Sequence, residues 1–274
     1  MQGLACREIT WYASTAVGRR YLLSVPAILP FLYHLLSGES ELVVVEAAGA
    51  LTNLTSETEN AKEAVVRCGI FPLMLTRCLA LPSNYAPETI SVFLRLLRSC
   101  SGTPERQTLL STDNGLSVLT GLITKSWLSQ SDEAFEQIVS ILWRVLNDTN
   151  QNLISQGEVL DRICERLQQT ENSPVLQCGI GALVAMCCRN EYNCIKVGQL
   201  GIAQWIAEVC ATLEDPIVVH RCLLLLLCLC QFDESREIAL EQHLLPVVSC
   251  WAQYGSTPQI CEVASQVYIQ LYTV

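Results

Sequence analysis

The sequence predicts an all-α fold, an α-solenoid of about six three-helix repeats. A short helical stretch, a glycine or turn-like residue and an apolar run recur along the 274 residues at intervals of 42 to 46. A polar break and a longer helical stretch, here called the third helix, follow each run. No stretch alternates convincingly with a period of two, so no strand is expected.

The boundaries of the repeats follow from their junctions and helix starts. Ser, Thr, Asp and Pro stand at the polar breaks, where side-chain oxygens cap free backbone N–H groups and proline fits the first turn. The junctions lie at Pro26, Gly69, Gly115, Gly157, Gly201 and His243. We therefore expect one domain over residues 1–274, with a partial third helix at 1–16 and repeats at about 17–57, 58–101, 102–148, 149–189, 190–231 and 232–274.

Composition excludes several functional classes. With 50% hydrophobic and 16% charged residues, the chain can bury a substantial core. The net charge of -10 and the absence of a basic run argue against nucleic acid as a partner, because phosphate binding depends on clustered Lys and Arg. The longest apolar stretch, CLLLLLCLC, has nine residues, whereas a membrane-spanning helix needs about 20. We expect it to be a buried helix.

The N-terminus and the cysteines indicate a reducing compartment. No charged segment followed by an apolar one opens the chain, so a cytoplasmic or nuclear location is expected. The fifteen cysteines are odd in number and stand among Leu, Val and Ala rather than in loops. They are interpreted as reduced core residues.

Two segments carry a resemblance to a known family. NAKEAVVRCGIFPLMLTRCL, around Gly69, and VVVEAAGALTNL, in the neighbouring repeat, resemble the armadillo pattern of a short helix, glycine, an apolar second helix and a third helix ending in Ala-Leu-x-Asn-Leu. The resemblance covers essentially the whole chain and implies a right-handed solenoid whose third helices line a concave face for extended peptides. In such a fold Ala47, Ala48, Gly49 and Ala50 are expected to let neighbouring third helices approach closely.

Signals for catalysis, metals or cofactors are scarce. The histidines His34, His220 and His243 each stand alone, and no HExxH, GxSxG, Walker or CxxC motif is present. The cysteine pairs at 187–188 and at 228 and 230 are interpreted as core, because neighbours at those spacings point to different helix faces. The segment CGIGAL has no strand before it, which excludes a dinucleotide site. A non-enzyme without cofactor or metal is expected.

The resemblance also suggests binding residues. In the nuclear-import adaptors of this class, Trp and Asn four residues apart contact the ligand, and this chain has one full pair, Trp143 and Asn147. Glu136 lies two turns before Trp143, so one helix face would present a carboxylate, an aromatic ring and an amide to a Lys or Arg side chain.

Other repeats carry only half of the pair. Asn53 has Gly49 in place of Trp, Trp11 has Thr15 in place of Asn, and Gly181 stands at the Trp position of the fourth repeat. An import adaptor would repeat the full pair across several units. The broken ladder therefore counts against specific recognition of basic nuclear signals.

Alternative interpretations stay open at this point. Trp143 could pack against the next repeat while Asn147 caps its helix. The arginines on third helices, Arg95, Arg98 and Arg221, could recognise acidic ligand groups or pair with neighbours.

The leading functional hypothesis is a scaffold or adaptor that holds an extended or helical segment of a protein partner, with a basic segment as one candidate ligand. The alternatives are an import-adaptor-like receptor for basic signals and a structural subunit of a large cytoskeletal or ciliary assembly. Association through uncapped ends of the solenoid is also expected, because the chain starts within a third helix and stops on an apolar run.

Overall fold

The chain folds into α-helices joined by short turns. The computed structural model describes residues 2–79, 87–102, 110, 113–125, 131–147, 150–155, 158–213, 215–242 and 244–272, and no strand occurs within these ranges. This confirms the all-α prediction. Contacts divide the chain into two compact units, Met1–Ile141 and Leu142–Val274.

The first unit follows the predicted order of helices. It contains α1 (Gln2–Ala13), α2 (Ala16–Ser24), α3 (Ile28–Leu36), α4 (Glu41–Thr55), α5 (Glu59–Arg67), α6 (Ile70–Leu79), α7 (Pro87–Cys100), α8 (Asp113–Ile123) and most of α9 (Asp132–Val145). The sets α2–α3–α4 and α5–α6–α7 are two short helices followed by a longer one. Helix α1 takes the place of the partial third helix.

Third helices pack directly on one another in the first unit, where α4 contacts both α1 and α7. Ala47, Ala48 and Ala50 are fully buried, as expected for close packing. Gly49 differs from the expectation, because a Cβ there would meet only Thr10 Cγ2, at an ordinary 3.7 Å. The alanines therefore account for the close packing, and Gly49 is not required for it.

The second unit repeats the same order. It contains α10 (Asn152–Ser155), α11 (Val159–Gln169), α12 (Ser173–Cys187), α13 (Glu191–Gln199), α14 (Ile202–Thr212), α15 (Pro216–Leu229), α16 (Asp233–Glu241), α17 (Leu245–Tyr254) and α18 (Pro258–Tyr272). The third helices are α12, α15 and α18, and α15 packs against both others. The count of six repeats and the single domain over 1–274 stay predictions.

Glycines at the junctions have different physical roles. Gly69 and Gly201 have φ of 76° and 75°, the left-handed region that favours glycine. Gly115 lies inside α8, where a Cβ would come within 2.4 Å of the Leu110 carbonyl oxygen, so close backbone approach requires it. Gly157 and His243 lie outside the described residues.

The core is built from aliphatic side chains and cysteines. Eleven of the fifteen cysteines are buried, as expected for core residues, and none forms a disulfide bond. Cys68 and Cys250 differ from the expectation, because both are exposed. The CLLLLLCLC segment lies almost entirely within α15, where Cys222, Leu225 and Leu229 are fully buried. Within the described ranges, no helix is both long and apolar enough to cross a membrane.

Replacing Gly69 by valine is expected to lower the free energy of unfolding by at least about 1–2 kcal/mol, because a β-branched residue is strained at positive φ. The matched control is Gly49→Ala, which should be neutral or raise it by up to about 1 kcal/mol, since the alanine Cβ has room and favours the helix. Urea denaturation followed by circular dichroism measures both. Equal midpoints for Gly69→Val and the wild type would contradict this account.

Candidate functional site

Trp143 lies near the end of α9 and is 40% exposed. Its indole ring rests on the backbone of α12, because a Cβ added at Gly181 would lie only 3.1 Å from the ring. The missing side chain at Gly181 therefore leaves the space that the indole ring occupies against the next third helix. Any larger residue at 181 would push the indole away.

Arg221, on α15, lies over the same ring. Its guanidinium carbon lies 4.2 Å from the centroid of Trp143, and its Nη1 donates a hydrogen bond to the backbone carbonyl of Gln177 on α12. A cation–π contact of this kind contributes about 0.5–2 kcal/mol. Three successive third helices of the repeat series are thus joined at one place. We call Trp143, Gly181, Gln177 and Arg221 the Trp143 surface.

The electrostatics of the Trp143 surface depend on Arg221 and Asp215. Partial burial lowers the pKa of the Arg221 guanidinium, although arginine stays protonated at neutral pH. Asp215 caps α15 by accepting hydrogen bonds from the backbone N–H groups of Ile217 and Val218. Hydrogen bonds from the Ser173 hydroxyl and the Gln177 amide also stabilise its charged form, so the pKa of its carboxyl group is lowered.

Asn147 lies outside the helix that carries Trp143. Helix α9 ends at Val145, and the Asn147 backbone N–H donates to Asn150 Oδ1 at 2.8 Å in the following turn. The side-chain amide of Asn150 donates to the carbonyl oxygen of Val145, also at 2.8 Å. Asn150, which the sequence pattern did not single out, therefore caps the end of α9.

Glu136, in the first unit, is already paired. Its carboxylate accepts a hydrogen bond from Arg98 Nη1 at 2.8 Å, and Arg95 pairs in the same way with Glu133. Two of the three arginines singled out from the sequence thus neutralise carboxylates of α9. The carboxylate that was expected to receive a ligand cation contacts an arginine of the chain itself.

The other two predicted residues also lie in the first unit. The Asn53 amide donates to the backbone carbonyl of Thr10 at 3.3 Å and so joins α4 to α1. Trp11 is 70% exposed, and its ring centroid lies 6.2 Å from that of Tyr12. Asn53 therefore contributes to helix packing, whereas Trp11 belongs to an exposed aromatic surface.

Comparisons with known proteins agree on the fold. The model of the armadillo/beta-catenin-like repeat family matches residues 27–56. A designed armadillo repeat protein is similar with a TM-score of 0.73 and 14% identity, over 89% of this chain and 99% of the other. Residues 27–56 thus match the armadillo repeat, and the chain has the fold of armadillo repeat proteins.

Two further solved structures extend the likeness. An engineered protein aligns with a TM-score of 0.73 and 17% identity over 90% of this chain and 99% of its own. A designed armadillo repeat protein in complex with the peptide (KR)4 aligns with a TM-score of 0.71 and 14% identity, over 89% of this chain and 99% of its own. No curated protein sequence matches. At these identities the likeness concerns the fold.

The other candidate metal, cofactor and nucleophile residues have structural surroundings. In the described part of the chain, no group of three or more His, Cys, Asp or Glu could hold a metal ion. His34 is exposed, His220 is half-buried, and CGIGAL lies inside helix α12. Burial raises the pKa of the Cys228 and Cys230 thiols to about 12, which makes them poor nucleophiles.

Cysteine alkylation tests this description of the thiols. At pH 8, N-ethylmaleimide should modify Cys68 and Cys250 first, because both are exposed. Cys228 and Cys230 should stay unmodified in the native protein, because thiols with a pKa of about 12 hold their protons well above that pH. Mass spectrometry of tryptic peptides locates each adduct. Rapid native modification of Cys228 would contradict the burial, whereas modification after unfolding is expected.

Replacing Trp143 by alanine should lower the free energy of unfolding by less than about 3 kcal/mol, the lower end for a buried aromatic residue, because much of the ring is exposed. Phe135→Ala, on the same helix but 2% exposed, should cost about 3–5 kcal/mol. Urea denaturation compares the two variants. A larger loss for Trp143→Ala than for Phe135→Ala would show that Trp143 is a core residue.

Proposed function

We propose that this protein is a non-enzymatic scaffold or adaptor that holds an extended or helical segment of a partner protein against its third helices. The armadillo-like fold supports the class of protein-binding scaffolds, and one structurally similar designed protein was solved with a bound peptide. Burial of most cysteines in the apolar core supports the reduced state expected in the cytoplasm or nucleus.

The observation that carries the proposal is the Trp143 surface. A large aromatic side chain on a third helix is partly exposed, yet its ring contacts both the α12 backbone and Arg221. A ring already fixed in one orientation loses little conformational entropy when a partner covers it. Tryptophan and arginine are also the residue types that most often dominate binding energy at protein interfaces.

The remaining proposed binding residues fall into two groups. Asn147, exposed in the turn after α9, is proposed to contact a segment bound at the Trp143 surface. In the first unit, Trp11, Asn53 and Glu136 are proposed contacts for a partner of that unit. Asn53 and Glu136 already make intrachain hydrogen bonds, so their contribution would require these bonds to be shared or exchanged.

A basic segment is the first candidate ligand. The (KR)4 peptide in the designed armadillo protein favours it, as does the net charge of -10. A ligand cation would have to displace Arg221 from Trp143 and Arg98 from Glu136. This requirement counts against import-adaptor-like recognition, in which the aromatic ring must accept the ligand side chain.

A structural subunit is the second candidate function. Trp11, Tyr12 and Tyr21 form an exposed aromatic cluster on α1 and α2, with the rings of Tyr12 and Tyr21 6.1 Å apart. Exposed aromatic clusters are typical of surfaces that associate with another protein. If this cluster dominates, the isolated protein should associate with itself at micromolar concentration.

A phage-displayed library of random 12-residue peptides tests the scaffold proposal. Peptides enriched on the wild-type protein should bind saturably in fluorescence anisotropy, and Trp143→Ala should weaken them at least about tenfold, as the loss of an interface anchor predicts. The matched control is Tyr192→Ala, an exposed aromatic on α13 rather than on a third helix. It should leave the affinity unchanged.

Two results would count against the proposal. Peptides that bind Trp143→Ala as tightly as the wild type would place recognition elsewhere on the protein. A library without enrichment, together with concentration-dependent self-association in analytical ultracentrifugation, would favour the structural subunit.

A further inference from the structure

Arg221 differs from the other two arginines singled out on third helices. Arg95 and Arg98 each make an ion pair with a glutamate of α9. Arg221 contacts the Trp143 ring, the Gln177 carbonyl oxygen and the Cys178 side chain. None of these three partners is a carboxylate. Its positive charge is therefore not neutralised by an ion pair with any described residue.

Asp215, the acidic group that acts electrostatically on Arg221, is engaged elsewhere. Its two carboxylate oxygens accept from Ser173 and Gln177 on α12 and from two backbone N–H groups at the start of α15. It influences Arg221 only through space, as a minor electrostatic effect. Because its hydrogen bonds hold Asp215 at the start of α15, Asp215 does not form an ion pair with Arg221.

The stacked geometry leaves donors of Arg221 available. A guanidinium group has five N–H donors in one plane. Nη1 donates to the Gln177 carbonyl oxygen, and the Cys178 side chain accepts a further hydrogen bond. Stacking on the indole uses the face of the group rather than its edges, so in-plane donors stay open to a planar acceptor. A carboxylate matches this fork with two parallel hydrogen bonds.

Partial burial makes such a contact stronger than an ordinary surface ion pair. Arg221 is half-buried and Trp143 closes one of its faces to water. A hydrogen bond to a charged group contributes more to stability than one between two neutral groups. The side chain is also held by Gln177 and Trp143, so little rotamer entropy remains to be lost on binding.

Building on the proposed function, we propose that the Trp143 surface recognises an Asp or Glu side chain of the bound segment, with the carboxylate on Arg221 and the adjoining residue covering the exposed part of the indole. The ligand class is thus an acidic peptide segment rather than a basic one. The net charge of -10 opposes approach of such a segment at low salt. At physiological ionic strength the Debye length is about 8 Å. The net charge is therefore largely screened, and the contact with Arg221 determines which peptides bind.

The random 12-residue library is selected at 0.15 M salt on the wild type and on Arg221→Met, and the enriched peptides are sequenced. The methionine keeps an apolar side chain over Trp143 but removes the charge. Acidic residues should be enriched at one position on the wild type and not on Arg221→Met. Arg162→Met, which alters an arginine on α11 in the same unit, serves as the matched control and should retain the preference. Thermal melting of each variant establishes that it is folded.

Affinities then test the contact directly. For one enriched peptide, replacing its selected Glu by Gln should weaken binding to the wild type at least about tenfold, which corresponds to 1.4 kcal/mol. The same replacement should change binding to Arg221→Met by less than about twofold. Fluorescence titration of the wild type against Trp143→Phe shows whether the peptide covers that indole.

The outcomes separate this inference from the proposed function. Peptides that depend on Trp143 but show no acidic preference, or that are enriched in Lys and Arg, would overturn carboxylate recognition and leave the scaffold proposal standing. Peptides that bind without dependence on Trp143 would overturn both.

Discussion

Stacking of each third helix on its neighbours is the constraint on which the rest of this structure depends. In a repeat protein an isolated unit cannot bury its apolar face, so the core exists only between successive helices. In the first unit α4 lies between α1 and α7, and its buried alanines make that spacing possible. In the second unit α15 has the same position between α12 and α18. Every candidate binding residue is presented by this stack or by a turn beside it.

The Trp143 surface forms because the stack brings side chains from three successive third helices together. The indole can lie on α12 because Gly181 has no side chain, and Arg221 can reach the indole because α15 follows α12 in the stack. A glycine within a helix costs about 1 kcal/mol relative to alanine. At this position the contact between the ring and the backbone offsets part of that cost.

The arginines singled out on third helices have different partners in the two units. In the first unit, arginines of α7 neutralise glutamates of α9 across the stack. In the second unit, Arg221 stacks on an aromatic ring, while the nearby Asp215 caps a helix. The same residue type thus stabilises the fold in one place and leaves hydrogen-bonding capacity for a partner in another.

Sequence by itself determined the all-α repeat fold, the order of the helices and the glycine junction at Gly69, because periodicity, capping and turn chemistry act within about 15 residues. It also singled out Trp143. Only the tertiary structure decided that Asn147 lies beyond its helix, that Glu136 is paired with Arg98 and that Arg221 covers Trp143. These contacts join residues far apart in the chain. They depend on how successive helices are placed and on which side-chain rotamers then fit, which no local pattern encodes.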